Sequence, residues 1–239
     1  WPCDVEPRPS AIADRPTQTA IIIGMKADGQ EVSDAVLQDP DREDEIPVPV
    51  AGGRSARLAK GIGTALHACL ERVTWIEDEL PTDEELLFAI ERADLPFDVD
   101  PRRLVDRARR VLCSPGVMGV ITRARYLTTD RPGCTVDLLR EISGAVLNGD
   151  GSVVHARIDR LAVVRRDGVP VEAEVLDWKS DAFPEDDQEP AIERRVAYHQ
   201  PQLEAYRLLV SRHLGLPPAR VRATVVFTSI DRAVTIGPA

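Results

Sequence analysis

No apolar run in this 239-residue sequence approaches the roughly 20 residues that a membrane-spanning helix needs. The longest candidate, AIIIGM at 20–25, is far shorter, so no membrane partner is expected. Cysteine is sparse: Cys3, Cys69, Cys113 and Cys134 stand far apart and form no C-x-x-C pair. That excludes the usual zinc and iron–sulfur signatures and leaves reduced, partly buried thiols of a cytoplasmic protein as the expectation. No G-x-x-x-x-G-K-[ST] occurs, so no ATP site of that kind is expected in this chain. A basic balance is missing as well: the net charge is −10, whereas proteins that coat nucleic acid are usually basic overall. Nor does a basic segment lead into an apolar signal core, and the sequence opens on Trp1, which reads as a piece of a longer protein.

What is present suits a globular chain. Hydrophobic residues make up 43% and charged residues 29%, enough for a sizeable core in one large domain with appendages. Charge is segregated: residues 77–100 hold ten acidic side chains and one basic, and residues 101–110 hold five arginines and one aspartate. Residues 1–53, rich in Pro, Asp, Glu and Gly, read as a linker or extended arm in which TAIIIGM suggests a short strand or buried turn. A domain is expected over 54–239, helical over 54–124 and built on a sheet over 125–239.

In the helical section, GTALHACLERVTWI sets Leu66, Cys69, Leu70 and Val73 on one stripe. TDEELLFAIERADL opens with a Thr cap and a Glu three residues on. A third helix over 101–113 starts on Pro101 after Asp100 and buries Leu104, Ala108, Val111 and Leu112. The period then changes. RYLTT, LLREISGAVLNG, SVVHARIDRLAVVRR and VEAEVLDWKS read as strands joined by turns such as NGDGS and RRDGVP. A helix over QLEAYRLLVSRHLG and a closing strand in ARVRATVVFTSI follow. Helices, an antiparallel meander, a crossover helix and a strand make a mixed-sheet α/β or α+β fold, the sheet flanked by helices.

One stretch raises a chemical question. In EVLDWKSD a strand puts Asp177 and Lys179 on one face and Leu176 and Trp178 on the other. On these residues alone the plainer reading is an exposed ion pair contributing about 0–1 kcal/mol. Asp159, in VVHARIDRLAVV, changes the balance: it lies 18 residues before Asp177, about the span of a hairpin, so neighbouring strands can bring Asp159, Asp177 and Lys179 together. Two converging carboxylates form a hard oxygen site suited to Mg²⁺ or Mn²⁺. A lysine beside them can hold or activate water or offset charge on a phosphate.

GTALH with its following LE, then IDRL, VLDWKSD and QLEAY resemble, in order and spacing, the RecB-type nuclease domain of the PD-(D/E)XK superfamily. The resemblance covers 60 to about 236 and implies a restriction-endonuclease-like core. That domain sits at the C-terminus of UvrD-like bacterial helicases that process DNA ends. The resemblance therefore implies DNA as substrate, helicase motor domains as partners in the same chain or complex, and a nucleoid-associated place in the bacterial cytoplasm. Residue by residue it makes His67, Asp159 and Asp177 metal ligands with the Trp178 carbonyl, Lys179 the catalytic lysine, and Gln202 and Tyr206 a supporting pair that contacts DNA. Glu141, in LREIS, falls where relatives often carry a glutamate, without a defined role. Ala156 stands where glycine is usual, and Trp178 where tyrosine is more frequent.

Arg103, Arg107 and Arg110 lie at helical spacing opposite the Leu104 stripe and can meet phosphates, a solvated or partner-facing surface being an equal reading. His155, His199 and His213 match nothing in the pattern. The sequence thus points to a metal-dependent DNA nuclease in end processing and recombinational repair. The alternative is a catalytically silent nuclease-like module that holds DNA or a helicase, and behind it an unrelated globular domain.

Overall fold

A computed structural model describes residues 21–23, 53–93, 95, 99–129, 131–147, 153–184, 186 and 188–237. Apart from Ile21–Ile23, the arm expected before residue 53 lies outside the described residues, as does the turn expected at 148–152. The chain divides into two compact units, parting between Thr122 and Arg123.

The helical unit holds α1 (Gly53–Leu70), α2 (Asp83–Glu91), α3 (Pro101–Leu112) and α4 (Pro115–Val120). α1 stops at Leu70 rather than running on to Ile76, because the chain turns at Glu71 and Arg72 to bury Val73 and Trp75. α2 begins as its sequence requires. Thr82 accepts from the Glu85 N–H at 3.2 Å, and the Glu85 carboxylate accepts from the Thr82 N–H at 2.8 Å. α3 starts on Pro101, with Asp100 accepting the Arg102 N–H at 3.0 Å. Its buried face holds Leu104, Val105, Ala108, Val111 and Leu112, and Arg109 ties it to Asp83 of α2 at 2.7 Å. Cys69 is a buried thiol whose pKa burial pushes up to about 11. Cys134 is likewise a free thiol.

Among its described residues the sheet unit contains six strands in sequence order: β1 (Ile21–Ile23), β2 (Cys134–Leu147), β3 (Val153–Arg166), β4 (Val169–Lys179), β5 (Val221–Phe227) and β6 (Arg232–Ile236), with α5 (Gln188–Leu214) between β4 and β5. β1 pairs parallel to β2. β2, β3 and β4 form the antiparallel meander, β5 runs parallel to β4, and β6 returns antiparallel to β5. A parallel neighbour needs a crossover, and α5 supplies it. The β3–β4 hairpin turns on Asp167 and Gly168, with φ of 50° and 80°, the pair of positive values that a two-residue primed turn demands. β4 is buried on both faces from Ala173 to Trp178. Val175, Val225 and Phe227 on one face pack with Leu203, Tyr206 and Val210 of α5, each such side chain contributing about 1.5–3 kcal/mol of burial.

RYLTT is not a strand. Arg123–Arg125 form a 3₁₀ turn and Tyr126 is buried, because Arg125 reaches Glu174 of β4 with paired bonds of 2.9 and 2.7 Å. That ion pair outweighs the strand preference of Tyr and Thr.

Candidate active site

The site of interest forms where β3 parts from β4. Their ladder runs as far as Arg160↔Leu176 and no further. Beyond that point the Asp159 side chain takes over, Oδ2 accepting the Trp178 N–H at 2.8 Å in place of a main-chain partner. On the other side, β2 pairs Arg140 with Arg160 and Ile142 with Ile158 but skips Glu141, whose φ is 50°. A glutamate in the left-handed region inside a strand stores local strain. Glu141 takes an ion pair from Arg157, whose Nε donates to Oε2 at 2.6 Å.

Asp177 and Lys179 stand on the face of β4 that meets α5, as alternation required. Asp177 is buried, and Lys179 Nζ lies 3.1 Å from its Oδ2. This approach makes an ion pair, and among the described residues no hydrogen bond of good geometry reaches the buried oxygen. Burial and the facing Asp177 carboxylate push the Asp159 carboxyl up to about 8, against the pull of the Trp178 N–H and Lys179. Burial alone would depress Lys179, but Asp177 and Asp159 outweigh it and hold the amine protonated above its ordinary value. Tyr206 places its ring in the core, and its hydroxyl takes a 3.0 Å bond from Gln202 and another from the Arg157 main chain. Burial, then Asp177 and Asp159, raise its pKa against the pull of those two bonds, so the phenol keeps its proton.

A divalent cation suits this donor set. Asp177 offers a buried oxygen free of hydrogen bonds, and two crowded carboxylates of which one is driven toward protonation are the groups that a hard cation neutralises. Among the described residues, no three His, Cys, Asp or Glu side chains gather closely enough to hold a metal by themselves. His67 is half-buried on α1 in the helical unit, so the sheet unit's own contribution is Asp159, Asp177 and the Trp178 main chain. Arg103 and Arg110 are exposed on α3 and Arg107 is half-buried, again in the helical unit.

Three side chains next to Lys179 were given no role by the sequence pattern. Asp181 Oδ2 lies 3.3 Å from His199 Nε2 and its Oδ1 lies 3.2 Å from Arg195 Nε. Asp181 was visible as the last letter of DWKSD, but nothing in the sequence pairs it with a histidine 18 residues on. Arg157 was visible only as a basic residue in a strand.

The order of strands, the crossover helix and the carboxylates at the parting of β3 and β4 describe a restriction-endonuclease-like fold with its polar cluster on the central strands. The sequence matches the PD-(D/E)XK nuclease superfamily over residues 43–236, and the chain belongs to it. Members of this superfamily are generally nucleases and typically use Mg²⁺ or Mn²⁺. No curated protein matches the chain. Among the described residues no helix is long and apolar enough to cross a membrane.

Proposed function

We propose that the chain is a divalent-metal-dependent deoxyribonuclease of RecB type, with residues 54–239 as the nuclease domain and 1–53 as an arm. In this reading it is the C-terminal module of a helicase-nuclease that hydrolyses phosphodiester bonds during DNA end processing and recombinational repair in the bacterial cytoplasm. The observation that carries the activity is the buried Asp177 oxygen without a hydrogen bond, set beside Asp159 and Lys179.

Asp159, Asp177 and the Trp178 carbonyl would hold Mg²⁺ or Mn²⁺, which when bound lowers the pKa of water and offsets phosphate charge. Lys179 keeps its proton and so acts as a fixed positive donor toward the attacked phosphate. In hydrolysis, water forms a new P–O bond as the bond to the leaving oxygen breaks. That oxygen leaves with a proton, and a cationic donor lowers the charge it must carry. Gln202 and Tyr206 steady the base of the site, the hydroxyl fixed between the α5 amide and the β3 main chain.

A second reading, a silent nuclease-like module that holds DNA or a helicase, is favoured by one observation: among the described residues no third His, Cys, Asp or Glu joins the two carboxylates closely enough to hold a metal, and Glu141 is engaged by Arg157. Linear single- and double-stranded DNA incubated with Mg²⁺, Mn²⁺ or EDTA separates the two. Metal-dependent products that vanish in Lys179→Ala support the nuclease. DNA binding without products in any metal supports the silent module.

A further inference from the structure

Lys179 is the last residue of β4 to pair in the sheet, opposite Phe227. An end residue frays unless something beyond the ladder holds it, and a reacting group must be held within roughly 0.5 Å of its productive place. Two sets of contacts do this. On the β5 side the Lys179 carbonyl accepts the Thr228 N–H at 2.9 Å and the Thr228 hydroxyl at 3.2 Å, and the Ser229 hydroxyl bonds the Asp181 carbonyl. On the α5 side the Asp181 carboxylate meets His199 at 3.3 Å and Arg195 at 3.2 Å.

The second set is a built structure rather than a surface pair. The Asp181, His199 and Arg195 side chains are only 13%, 11% and 17% exposed. The His199 ring stands edge-on to Tyr198 at 5.0 Å and 6.2 Å from Phe227, and Phe227 is the strand partner of Lys179 itself. Burial alone would raise the Asp181 carboxyl; the His199 bond and the charges of Arg195 and Lys179 hold it below the ordinary range, so it stays ionised. His199 precedes Gln202 by about one helical turn and Tyr206 by about two. One face of α5 therefore carries both the pair under the carboxylates and the histidine that grips the chain leaving Lys179.

We propose that Asp181 and His199 are positioning residues for Lys179, clamping the end of β4 to the turn of α5 that leads into Gln202 and Tyr206. Neither group touches the reacting atoms in this proposal; each acts through the place it gives the lysine. The catalytic consequence rests on the nuclease reading above, whereas the positional one does not.

The sequence offers a direct readout, because Lys26, Lys60 and Lys179 are its only lysines. Lys60 is exposed on α1 and serves as the internal reference amine. Acylation of the whole protein by a small amine reagent, followed residue by residue by mass spectrometry, measures how firmly Lys179 is held. Two variants divide the contributions: His199→Phe keeps the ring packing and removes the donor, and His199→Gln keeps a donor to Asp181 and removes the ring. The expected result is that His199→Phe raises Lys179 labelling relative to Lys60 by roughly tenfold, while His199→Gln stays near the wild-type ratio. In parallel, kcat for DNA cleavage falls on the order of 10²-fold in His199→Phe, recovers in His199→Gln, and DNA affinity is unchanged in both. Lys179 labelling that is unchanged in His199→Phe, or that rises in His199→Gln instead, overturns the clamp and leaves His199 a packing residue. The expected labelling pattern in a protein that cleaves no DNA upholds the clamp and overturns the nuclease reading.

Discussion

Asp159 answers two demands at once, and different substitutions separate them. Its Oδ2 accepts the Trp178 N–H at 2.8 Å, and its carboxyl faces Asp177 across the parting of β3 and β4, where a bound cation would let both ionise. Asparagine keeps an acceptor and loses the charge. Alanine loses both and leaves a buried N–H without a partner, at a cost of about 1–3 kcal/mol. Both Asp159→Asn and Asp159→Ala are expected to lose Mn²⁺ affinity by calorimetric titration, and only Asp159→Ala to lower the urea midpoint. Unchanged Mn²⁺ affinity in the two variants would remove Asp159 from the proposed metal set.

At the scale of elements, Glu174 of β4 joins the 3₁₀ turn and β5 to its own strand. Its buried carboxylate takes paired bonds from Arg125, a 2.6 Å bond from Thr224 of β5 and the nearby charge of Arg222 at 3.6 Å. Burial alone would raise its pKa, but these partners reverse the shift and hold it below the ordinary glutamate value. A carboxyl depressed in the folded state adds stability that is complete above the unfolded value and is lost as pH falls through the folded one. Urea midpoints taken downward from about pH 7 should therefore fall on the acid side. Glu174→Gln should destabilise the protein near neutrality by about 3 kcal/mol, since it strands Arg125, and should flatten the acid limb. An acid limb as steep as wild type would assign acid sensitivity to other carboxylates.

How far these elements were legible follows the reach of the forces that set them. The capping box at Thr82, Pro101 as the opening of α3 and the Asp167–Gly168 turn depend on neighbours within four residues, and each appears in the structure. Alternation likewise placed Asp177 and Lys179 on one face. The misses lie where distant partners decide. The helix expected over QLEAYRLLVSRHLG starts earlier: α5 runs from Gln188 through Pro201, with Ala191, Ile192 and His199 buried ahead of it. β6 is short, exposed and weakly patterned, and only its pairing with β5 marks it as a strand. RYLTT lost its strand character to Glu174, about fifty residues away.

For the molecule as a whole, charge limits how DNA could be held. With a net charge of −10, binding must lean on local positive ground, and α3 offers Arg103, whose side chain is 88% exposed, with Arg107 and Arg110. Replacing all three by alanine is expected to weaken binding to every DNA sequence alike. For each phosphate that the variant no longer neutralises, the slope of log affinity against log salt should shrink by about 0.9. Tight binding with a slope indifferent to these arginines would turn that face of α3 toward a protein partner or solvent.

The pairing of β1 with Gly144–Val146 of β2 also decides what happens when the segment before α1 is removed. An uncapped strand margin is a row of donors and acceptors that another chain can complete. With β1 gone, β2 becomes such a margin, and two copies can satisfy each other there. A protein trimmed to begin at Gly53 is expected to self-associate, seen as a concentration-dependent rise in mass by light scattering, and lysines or a proline placed within 144–146 should suppress it. On this view the Ile21–Ile23 strand acts as a built-in guard against clumping.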